Sequence, residues 1–386
     1  MTRTLLLIVA VLLPASAHAQ GSVTDVLGFL MTNQAVPTAD FERDRAAAEA
    51  SRDVLSRALL VNLTSAPLTT SSGGFLYRLN PEIGTVERAT NSFGSFFVER
   101  ALTAGDGRAS FGLSASSSRF DALDGSNLRD GTLVTVANRF RDEASTFDTA
   151  SLALTIRSSM MTVYGNIGVT DHFEVGAAVP FVRVSLDGRS LDVYRGATVL
   201  QASGSASASG LGDIALRAKY NPFSAHASGV AAAIELRAPT GDEKNLLGAG
   251  SASLRVMGIG SYEQRRLGLH GNVSIVRGGI SDELAFAGAA AVALHPRLTF
   301  SAETMIRRLD ELHPIELVSA PHPTIAGVDT LRLAAGPSGT TLANAVAGVK
   351  WNIGGTLVIS SQLGWALVKH GLTAPLTPAV GLEYAF

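Results

Sequence analysis

The last nine residues of the chain, Pro378-Ala379-Val380-Gly381-Leu382-Glu383-Tyr384-Ala385-Phe386, indicate the fold. Large apolar side chains at Val380, Leu382, Tyr384 and the terminal Phe386 alternate with small or charged residues. A period of two is typical of a β-strand whose two faces meet different surroundings. A strand of this kind that ends on an aromatic residue suits a transmembrane β-barrel. We therefore expect the rest of the chain to close a barrel with this strand.

The composition favours many short strands over long helices. Of 386 residues, 46% are hydrophobic and 17% are charged, with 39 glycines and no cysteine. The apolar residues are interleaved with Ser, Thr, Gly and Ala, which favours strands. The net charge of −2 argues against nucleic acid as a partner. Without cysteine the chain has neither a disulfide nor a thiolate metal site.

Residues 1–19 have the pattern of a secretory signal peptide. Arg3 precedes the apolar run Leu5–Leu13, and Ala17-His18-Ala19 is an A-x-A cleavage site. The alternative, an N-terminal anchor helix, needs about 20 apolar residues, and this run is far shorter. No comparable run follows, so a mature protein that spans a membrane must span it as a closed barrel.

Residues 20–72 are expected to form a helical segment ahead of a barrel domain, residues 73–386. The stretch 38–63 is rich in helix formers, with Phe41, Leu55 and Leu59 near one face. A shorter helix is indicated at 23–31. The apolar stripe must be buried against something. A plug inside the barrel and a periplasmic helix on the barrel rim both satisfy this requirement.

Thirteen strand-like segments follow a predicted hairpin at 74–89. With one strand of that hairpin they give about fourteen strands, and twelve is also compatible with the pattern. We predict an all-β fold, a transmembrane antiparallel up-and-down β-barrel of about 12–14 strands, with residues 131–140 in an external hairpin extension. The thirteen segments are 93–103, 108–120, 148–168, 173–185, 210–220, 228–238, 250–264, 267–277, 282–294, 298–309, 342–353, 356–367 and 376–386.

The connections are of two kinds. Tight turns are expected near Asp171, Pro296 and Gly354, whereas the segments 121–147, 186–209, 239–249 and 310–341 are long. Counting back from a C-terminus on the periplasmic side puts every tight turn on that side and every long connection outside. This asymmetry is typical of outer-membrane barrels.

Alternation along the strands separates lipid-facing from lumen-facing side chains. A charge facing lipid near the bilayer midplane costs roughly 2 to 4 kcal/mol, so the charged set is assigned to the lumen. Two interpretations stay open: a mutually neutralising ladder of ion pairs that holds the barrel rigid, or groups that steer a solute. The candidate lumen and solute-path residues are Asp213, Arg217, Lys219, Glu235, Arg237, Arg255, His270, Glu303, Arg307 and Lys350.

Motifs of catalysis are missing from the sequence. It contains no G-x-S-x-G elbow, no H-E-x-x-H pair, no Walker loop and no dinucleotide fingerprint. His313 and His322 share a long predicted loop with acidic residues, but their spacing matches no metal template. We therefore expect no enzyme activity, no cofactor and no metal.

Several stretches resemble a known family of outer-membrane barrels, the one labelled as a MetA pathway of phenol degradation. They are Tyr164–Gly176 with Val179-Pro180-Phe181, Gly210–Ile214, Ala238–Asp242, Leu247–Gly250 and the closing Gly381–Phe386. The resemblance covers about residues 150–386 and implies a porin-like protein that takes up hydrophobic or aromatic compounds. The Pro239-Thr240-Gly241-Asp242 segment, with the earlier Gly210-Leu211-Gly212-Asp213, is read as either a structural corner or a solute mouth.

The leading hypothesis is an outer-membrane channel for small, hydrophobic or aromatic solutes, in a Gram-negative type of bacterium. A structural or surface-interaction barrel with an occluded lumen is the alternative from another class, and a barrel hydrolase is a weaker third. The expected partners are outer-membrane lipid, a small-molecule solute and, through the terminal Phe386, the barrel-assembly machinery.

Overall fold

The computed structural model describes residues 21–33, 35, 41–64, 74, 76–80, 85–88, 90–225 and 228–386. The predicted signal peptide, residues 1–19, lies outside the described residues. Two helices come first, α1 (Val23–Thr32) and α2 (Phe41–Thr64). Neither is long and apolar enough to cross a membrane. Ser22 caps α1: its hydroxyl accepts from the Asp25 amide, and the Asp25 carboxylate accepts from the Ser22 amide.

Twelve antiparallel strands form a closed barrel in which each strand pairs with its neighbours in the chain, and the last strand pairs with the first. The twelve-strand form of the prediction is therefore confirmed. The strands are β1 (Ala109–Phe120), β2 (Thr146–Gly168), β3 (Phe173–Tyr194), β4 (Ile214–Ala225), β5 (Ser228–Ala238), β6 (Ser253–Gln264), β7 (Leu267–Gly278), β8 (Glu283–His295), β9 (Leu298–Leu309), β10 (Thr340–Gly354), β11 (Leu357–Ala366) and β12 (Thr377–Ala385).

The period-two alternation of the sequence corresponds to the two faces of the barrel wall. Buried Glu235, Arg307 and Lys350 point inward, whereas the outer face is a belt of exposed apolar side chains. Such a belt is what lipid chains require of a barrel exterior. Members of the belt include Phe111, Leu113, Leu216, Tyr220, Ile234, Leu254, Val256, Val273, Phe286, Ile306, Trp351, Val380, Leu382 and Tyr384.

On the side of the long connections, β2 and β3 continue beyond the barrel as part of a six-stranded sheet. The segment 186–209, predicted to be a loop, is instead a long hairpin, because Phe181–Tyr194 pairs with a further strand, Ala197–Leu211. The external extension at 131–140 is confirmed as the strand Leu133–Phe140, which pairs with β2. Two more strands, Ile315–Pro321 and Val328–Ala335, complete this outer sheet.

The two helices lie against the barrel rim at this end, the end with the long connections. α1 packs on β3 and on Ala197–Leu211, and α2 packs on Leu133–Phe140 and Val328–Ala335. Their buried side chains join one apolar core with the outer ends of the barrel strands. Its members include Leu27, Leu30, Leu55, Leu59, Leu154, Ile156, Leu186, Leu246, Leu309, Leu342 and Leu372. We call α1 and α2 together the helix cap.

Two other segments differ from the prediction. The hairpin Tyr77–Asn80 with Thr85–Arg88 is a separate two-stranded ribbon and contributes no strand to the barrel. Residues 93–103, predicted to be a strand, have no strand structure. They belong to an irregular, almost wholly buried stretch, residues 90–108, that runs inside the barrel. We call residues 90–108 the lumen segment.

Candidate functional site in the barrel lumen

The lumen segment enters and leaves the barrel at the end with the tight turns. Asn91 donates to the carbonyl of Arg265 at 2.9 Å, in the turn between β6 and β7. At the other end, the hydroxyl of Thr103 donates to the carbonyl of Asp171 at 2.6 Å, in the turn between β2 and β3. The segment is therefore a loop that extends from the tight-turn end into the adjacent half of the lumen and returns to the same end.

Glu303 of β9 holds the top of this loop. Its carboxylate accepts hydrogen bonds from three consecutive amides, those of Phe96, Phe97 at 2.9 Å and Val98 at 3.2 Å. Successive backbone N–H groups that converge in this way form a concave site for an anion. Charge-assisted bonds of this kind are about twice as strong as neutral ones. A lumen-facing charge of the wall thus fixes the loop backbone.

Glu99 of the lumen segment ties the loop to the opposite wall. Its carboxylate pairs with Arg217 and lies 3.8 Å from the ammonium group of Lys219, both on β4. Arg217 also pairs with Glu235, and Lys219 lies 3.2 Å from Glu174. All five side chains are largely buried. A buried charge whose partner is removed is strongly destabilising, so this group acts as a unit.

Two further cations hold the same loop. The guanidinium group of Arg100 is 1% exposed, donates to the carbonyl of Gly74 at 2.7 Å and lies 3.6 Å from Glu263. Lys350 of β10 donates to the carbonyl of Ser95 at 2.7 Å and faces the ring of Phe96 at 5.1 Å. Charged side chains of the wall, Glu303, Glu263 and Lys350, thus meet the lumen segment from several strands.

A second set of charges lies on the barrel wall closer to the helix cap. Arg237 contacts Glu235 at 3.0 Å, and Arg255 lies 3.5 Å from Glu283. Arg307 also pairs with Glu283. Neighbouring strands carry these residues, so the ion pairs form a band around part of the lumen. His270 of β7 lies apart from this band, toward the tight turns, with Ser261 at 3.0 Å and Glu263 at 3.7 Å.

Nine of the ten predicted lumen residues point into the barrel, and Asp213 does not. Its carboxylate accepts from the amides of Gly241 at 3.0 Å and Ala249 at 2.7 Å. Asp213 therefore holds the corner between β4 and the loop that follows β5. Gly241 and Gly248 are needed at this corner, because a Cβ on either one would lie within 2.7 Å of the other's backbone.

The structure brings together acidic partners that the sequence did not indicate. They are Glu99, Glu174, Glu263 and Glu283, which pair with the predicted cations or with Arg100. One signal was present: Glu99-Arg100 is a charged pair within the otherwise apolar run Phe96–Leu102. The composition of this run also suits a barrel strand, so the pair does not by itself indicate a loop inside the lumen.

A cavity of about 260 Å³ lies between the lumen segment and the helix cap. Phe97 and Val98 form its floor, and Asn62 and Leu63 at the end of α2 reach its upper part. Its wall combines apolar groups with short polar ones. The lining includes Met160, Val182, Met305, Val346, Ser114, Ser116, Ser118, Ser158, Asn344 and Gln362.

Within the described part of the chain, no three His, Cys, Asp or Glu side chains are grouped as a metal site. His313 and His322, which the sequence places in one long loop, are on opposite sides of the strand Ile315–Pro321 in the chain.

Residues 130–305 match the family described as "Putative MetA-pathway of phenol degradation". The resemblance to this family that the sequence indicated is confirmed over these residues. The match starts earlier than the predicted resemblance, which covered residues 150–386. It ends before β10, so the closing motif Gly381–Phe386 lies outside it. No match to a curated protein was found.

Solved structures that resemble this chain include barrels from outer membranes. The COG4313 outer membrane channel from Pseudomonas putida F1 is 11% identical, with 74% of this chain and 98% of that chain covered and a TM-score of 0.45. The TodX monoaromatic hydrocarbon channel is 10% identical, with 84% and 99% covered and a TM-score of 0.34. Pseudomonas putida OprB is 11% identical, with 72% and 92% covered and a TM-score of 0.27.

Proposed function

We propose that this phenol-degradation family barrel is an outer-membrane channel that passes small, hydrophobic or aromatic solutes. The observation that carries the proposal is the cavity of about 260 Å³ inside a closed barrel. A dry apolar cavity of about 150 Å³ is sufficient to hold benzene. The cavity of this barrel therefore has room for a compound with one aromatic ring. The proposed role is transport rather than catalysis.

The cavity wall supports a hydroxylated ring as the solute. Met160, Val182 and Met305 provide apolar and polarisable contacts for an aromatic face. The side-chain oxygen of Gln362 is buried and accepts no hydrogen bond from the described residues. A phenolic hydroxyl would supply that missing donor, and an unsatisfied buried acceptor is costly. The description of the family agrees with a phenol-like solute.

The inward charges have a different role in this proposal. Arg217, Lys219, Glu303 and Lys350 contact the lumen segment directly. We assign them the task of anchoring this segment, which then sets the width of the solute path. The solute itself meets the apolar and hydroxyl groups above the segment.

Flux into proteoliposomes tests the proposal. We expect phenol and toluene to enter vesicles that contain the purified barrel faster than protein-free vesicles, and a glucose control to show no such difference. Gln362→Leu should slow phenol about tenfold relative to toluene, because it removes an acceptor worth about 1 to 2 kcal/mol. Gln201→Leu, outside the cavity, is the matched control. Equal flux with and without protein would refute the channel.

A structural barrel with an occluded lumen is the second candidate, and one observation favours it. The lumen segment fills the inner half of the barrel while the helix cap covers the outer end. This candidate predicts no flux of any solute through the wild-type barrel. It also predicts normal solute uptake, and a weakened cell envelope, in a strain that lacks the protein.

Assembly is proposed to depend on the ring of Phe386. The ring is 60% exposed on the outer face, while the backbone of Phe386 exchanges hydrogen bonds with Ala109 at 2.9 and 3.1 Å. Phe386→Ala keeps both backbone bonds and removes only the ring. We expect this variant to reach the membrane at about a tenth of the normal level, with unchanged flux per folded molecule. Tyr384→Ala is the control, and equal membrane levels of the two variants would contradict the proposal.

A further inference from the structure

Three exposed arginines lie on the outer face of the barrel wall, just beyond the apolar belt. They are Arg119 on β1, Arg157 on β2 and Arg183 on β3. Arg183 follows Phe181 by two residues on the same face, and Phe181 is paired with Met161 across the strands. The arginines therefore lie two or four residues along their strands from the last lipid-facing side chains, toward the long connections.

The strand register places the three guanidinium groups in one continuous line. Arg119 is directly opposite Arg157 in the β1–β2 ladder. In the β2–β3 ladder Arg157 is opposite Ser185, and Arg183 is opposite Ser159, so Arg157 and Arg183 are diagonal neighbours. Directly opposite side chains have Cβ atoms about 5 Å apart, and diagonal ones are still within reach of long side chains.

Like charges at this spacing destabilise a sheet unless something neutralises them. None of Arg119, Arg157 and Arg183 forms an ion pair with another described residue. Asp187 is the other diagonal neighbour of Arg157, but Arg189 flanks it two residues further on, so four arginines share this carboxylate. Asp121, at the end of β1, is within 3.5 Å of Arg129. The line of arginines thus carries an excess of positive charge.

Hydroxyl groups continue the same surface. Across from β3, the strand Ala197–Leu211 places four serines on the outer face, in register with Arg183, Ser185, Asp187 and Arg189. They are Ser203, Ser205, Ser207 and Ser209. On the other flank the hydroxyls of Ser117 and Ser159 are 3.3 Å apart. A surface of arginines and serines offers charged donors for phosphate and neutral donors for sugar hydroxyls.

We propose that this surface binds the headgroup of a phosphorylated glycolipid, the lipid class of the outer leaflet. Two features of the site favour a lipid. The arginines border an apolar belt that would hold the acyl chains, and their stems can extend along it while the guanidinium groups reach the headgroup. Guanidinium groups bind phosphate in a bidentate manner, which gives the contact direction as well as charge. The inference rests on the proposed outer-membrane location and does not depend on the solute.

Native mass spectrometry of the full chain in detergent tests the inference. The probes are a lipid A that carries two phosphates and the same lipid after removal of both. In about 150 mM salt, where exposed charges further apart than the screening length interact weakly, we expect adducts with the phosphorylated form. The variant R119Q/R157Q/R183Q should weaken them about tenfold or more. R265Q/R266Q/R297Q, on exposed turns at the opposite end, removes the same charge and should have no effect.

Three results would overturn the inference: equal binding by the two triple variants, equal binding of the dephosphorylated lipid, or complete displacement of the lipid by millimolar inorganic phosphate. If the first triple variant does not fold, the central Arg157→Gln replaces it, with an expected loss of about threefold. A barrel that binds no lipid but still passes solute would refute this inference alone and leave the proposed function intact.

Discussion

The lumen segment and the helix cap close opposite ends of the same barrel by different means. Glu303, Arg217, Lys219 and Lys350 hold the lumen segment through charges and directed hydrogen bonds to its backbone. The helix cap is held by apolar side chains of the core to which Leu55 and Leu59 belong. Polar contacts need fixed geometry and paired charges, whereas apolar burial tolerates small shifts.

This difference indicates whether the lumen segment or the helix cap can act as a gate. An ionic contact can be exchanged for water and salt when the lumen is wet, so the lumen segment has a second state within reach. Displacing the helix cap would expose a large apolar core to water. We therefore expect the lumen segment to be displaced more readily than the cap.

The largest expected effect comes from Glu99→Ala. This change leaves buried Arg217 and Lys219 without their shared partner on the loop, and losing one partner of a buried ion pair costs about 3 to 5 kcal/mol. The open fraction of the channel should then rise by about two to four powers of ten. Single-channel recording in planar bilayers measures it. Glu143→Ala, on an exposed outer hairpin, is the control, and an unchanged open fraction would show that the segment is held mainly by other contacts.

Leu59→Ala should destabilise the helix cap and leave the lumen segment unchanged. Leu59 is fully buried in the core beneath the cap, and truncating a buried leucine costs about 2 to 5 kcal/mol. Hydrogen exchange of α2 should therefore speed up, with no change in the exchange of residues 90–108. Exposed Leu317→Ala serves as the control. If both regions lost protection together, the two closures would be one cooperative unit, and the comparison would fail.

The smallest expected effect concerns the start of the cap. Ser22→Ala removes the side-chain acceptor of the α1 capping box, and loss of an N-cap costs about 1 kcal/mol. Hydrogen bonds from the Ser22 hydroxyl and amide lower the pKa of Asp25 below its ordinary value of 3.8. This contribution is present above the unfolded pKa and is lost as the pH falls through the folded one.

Hydrogen exchange of α1, corrected for the intrinsic rate at each pH, measures both effects. Wild-type α1 should lose protection between pH 5 and pH 2 more than the Ser22→Ala variant, which has already lost the box. Identical pH profiles for the two proteins would show that Asp25 does not stabilise the helix.

The barrel wall was largely predictable from the residues. In β12, side chains at even positions such as Val380 and Leu382 meet lipid, and Glu383 points inward. Alternation predicts this arrangement because a charge facing lipid is costly, whatever the neighbouring strands are. The same reasoning predicts the inward position of nine candidate residues, whose role on a solute path stays a prediction. It failed for Asp213, whose strand is interrupted by the Gly212-Asp213 corner before β4 begins.

The lumen segment could not be predicted from its own residues. Phe93–Thr103 has a composition that a strand would also have, and its backbone groups need partners in either case. In the folded chain the partners are the side chains of Glu303, Asn272 and Ser261. Those residues are more than 150 positions away in the chain, so no local pattern indicates them. The continuation of β2 and β3 beyond the barrel could not be predicted either, because the serine and glycine residues there suit both loops and exposed strands.

The sequence by itself determined the barrel class and the inward side of the wall for nine of the ten candidate charged and polar residues. These follow from period-two alternation and from the cost of charge in lipid, which are local properties. Only the tertiary structure decided that residues 90–108 occupy the lumen, that the helices cover the outer end and that three arginines align outside. Each of these depends on strand register, which brings together side chains far apart in the chain.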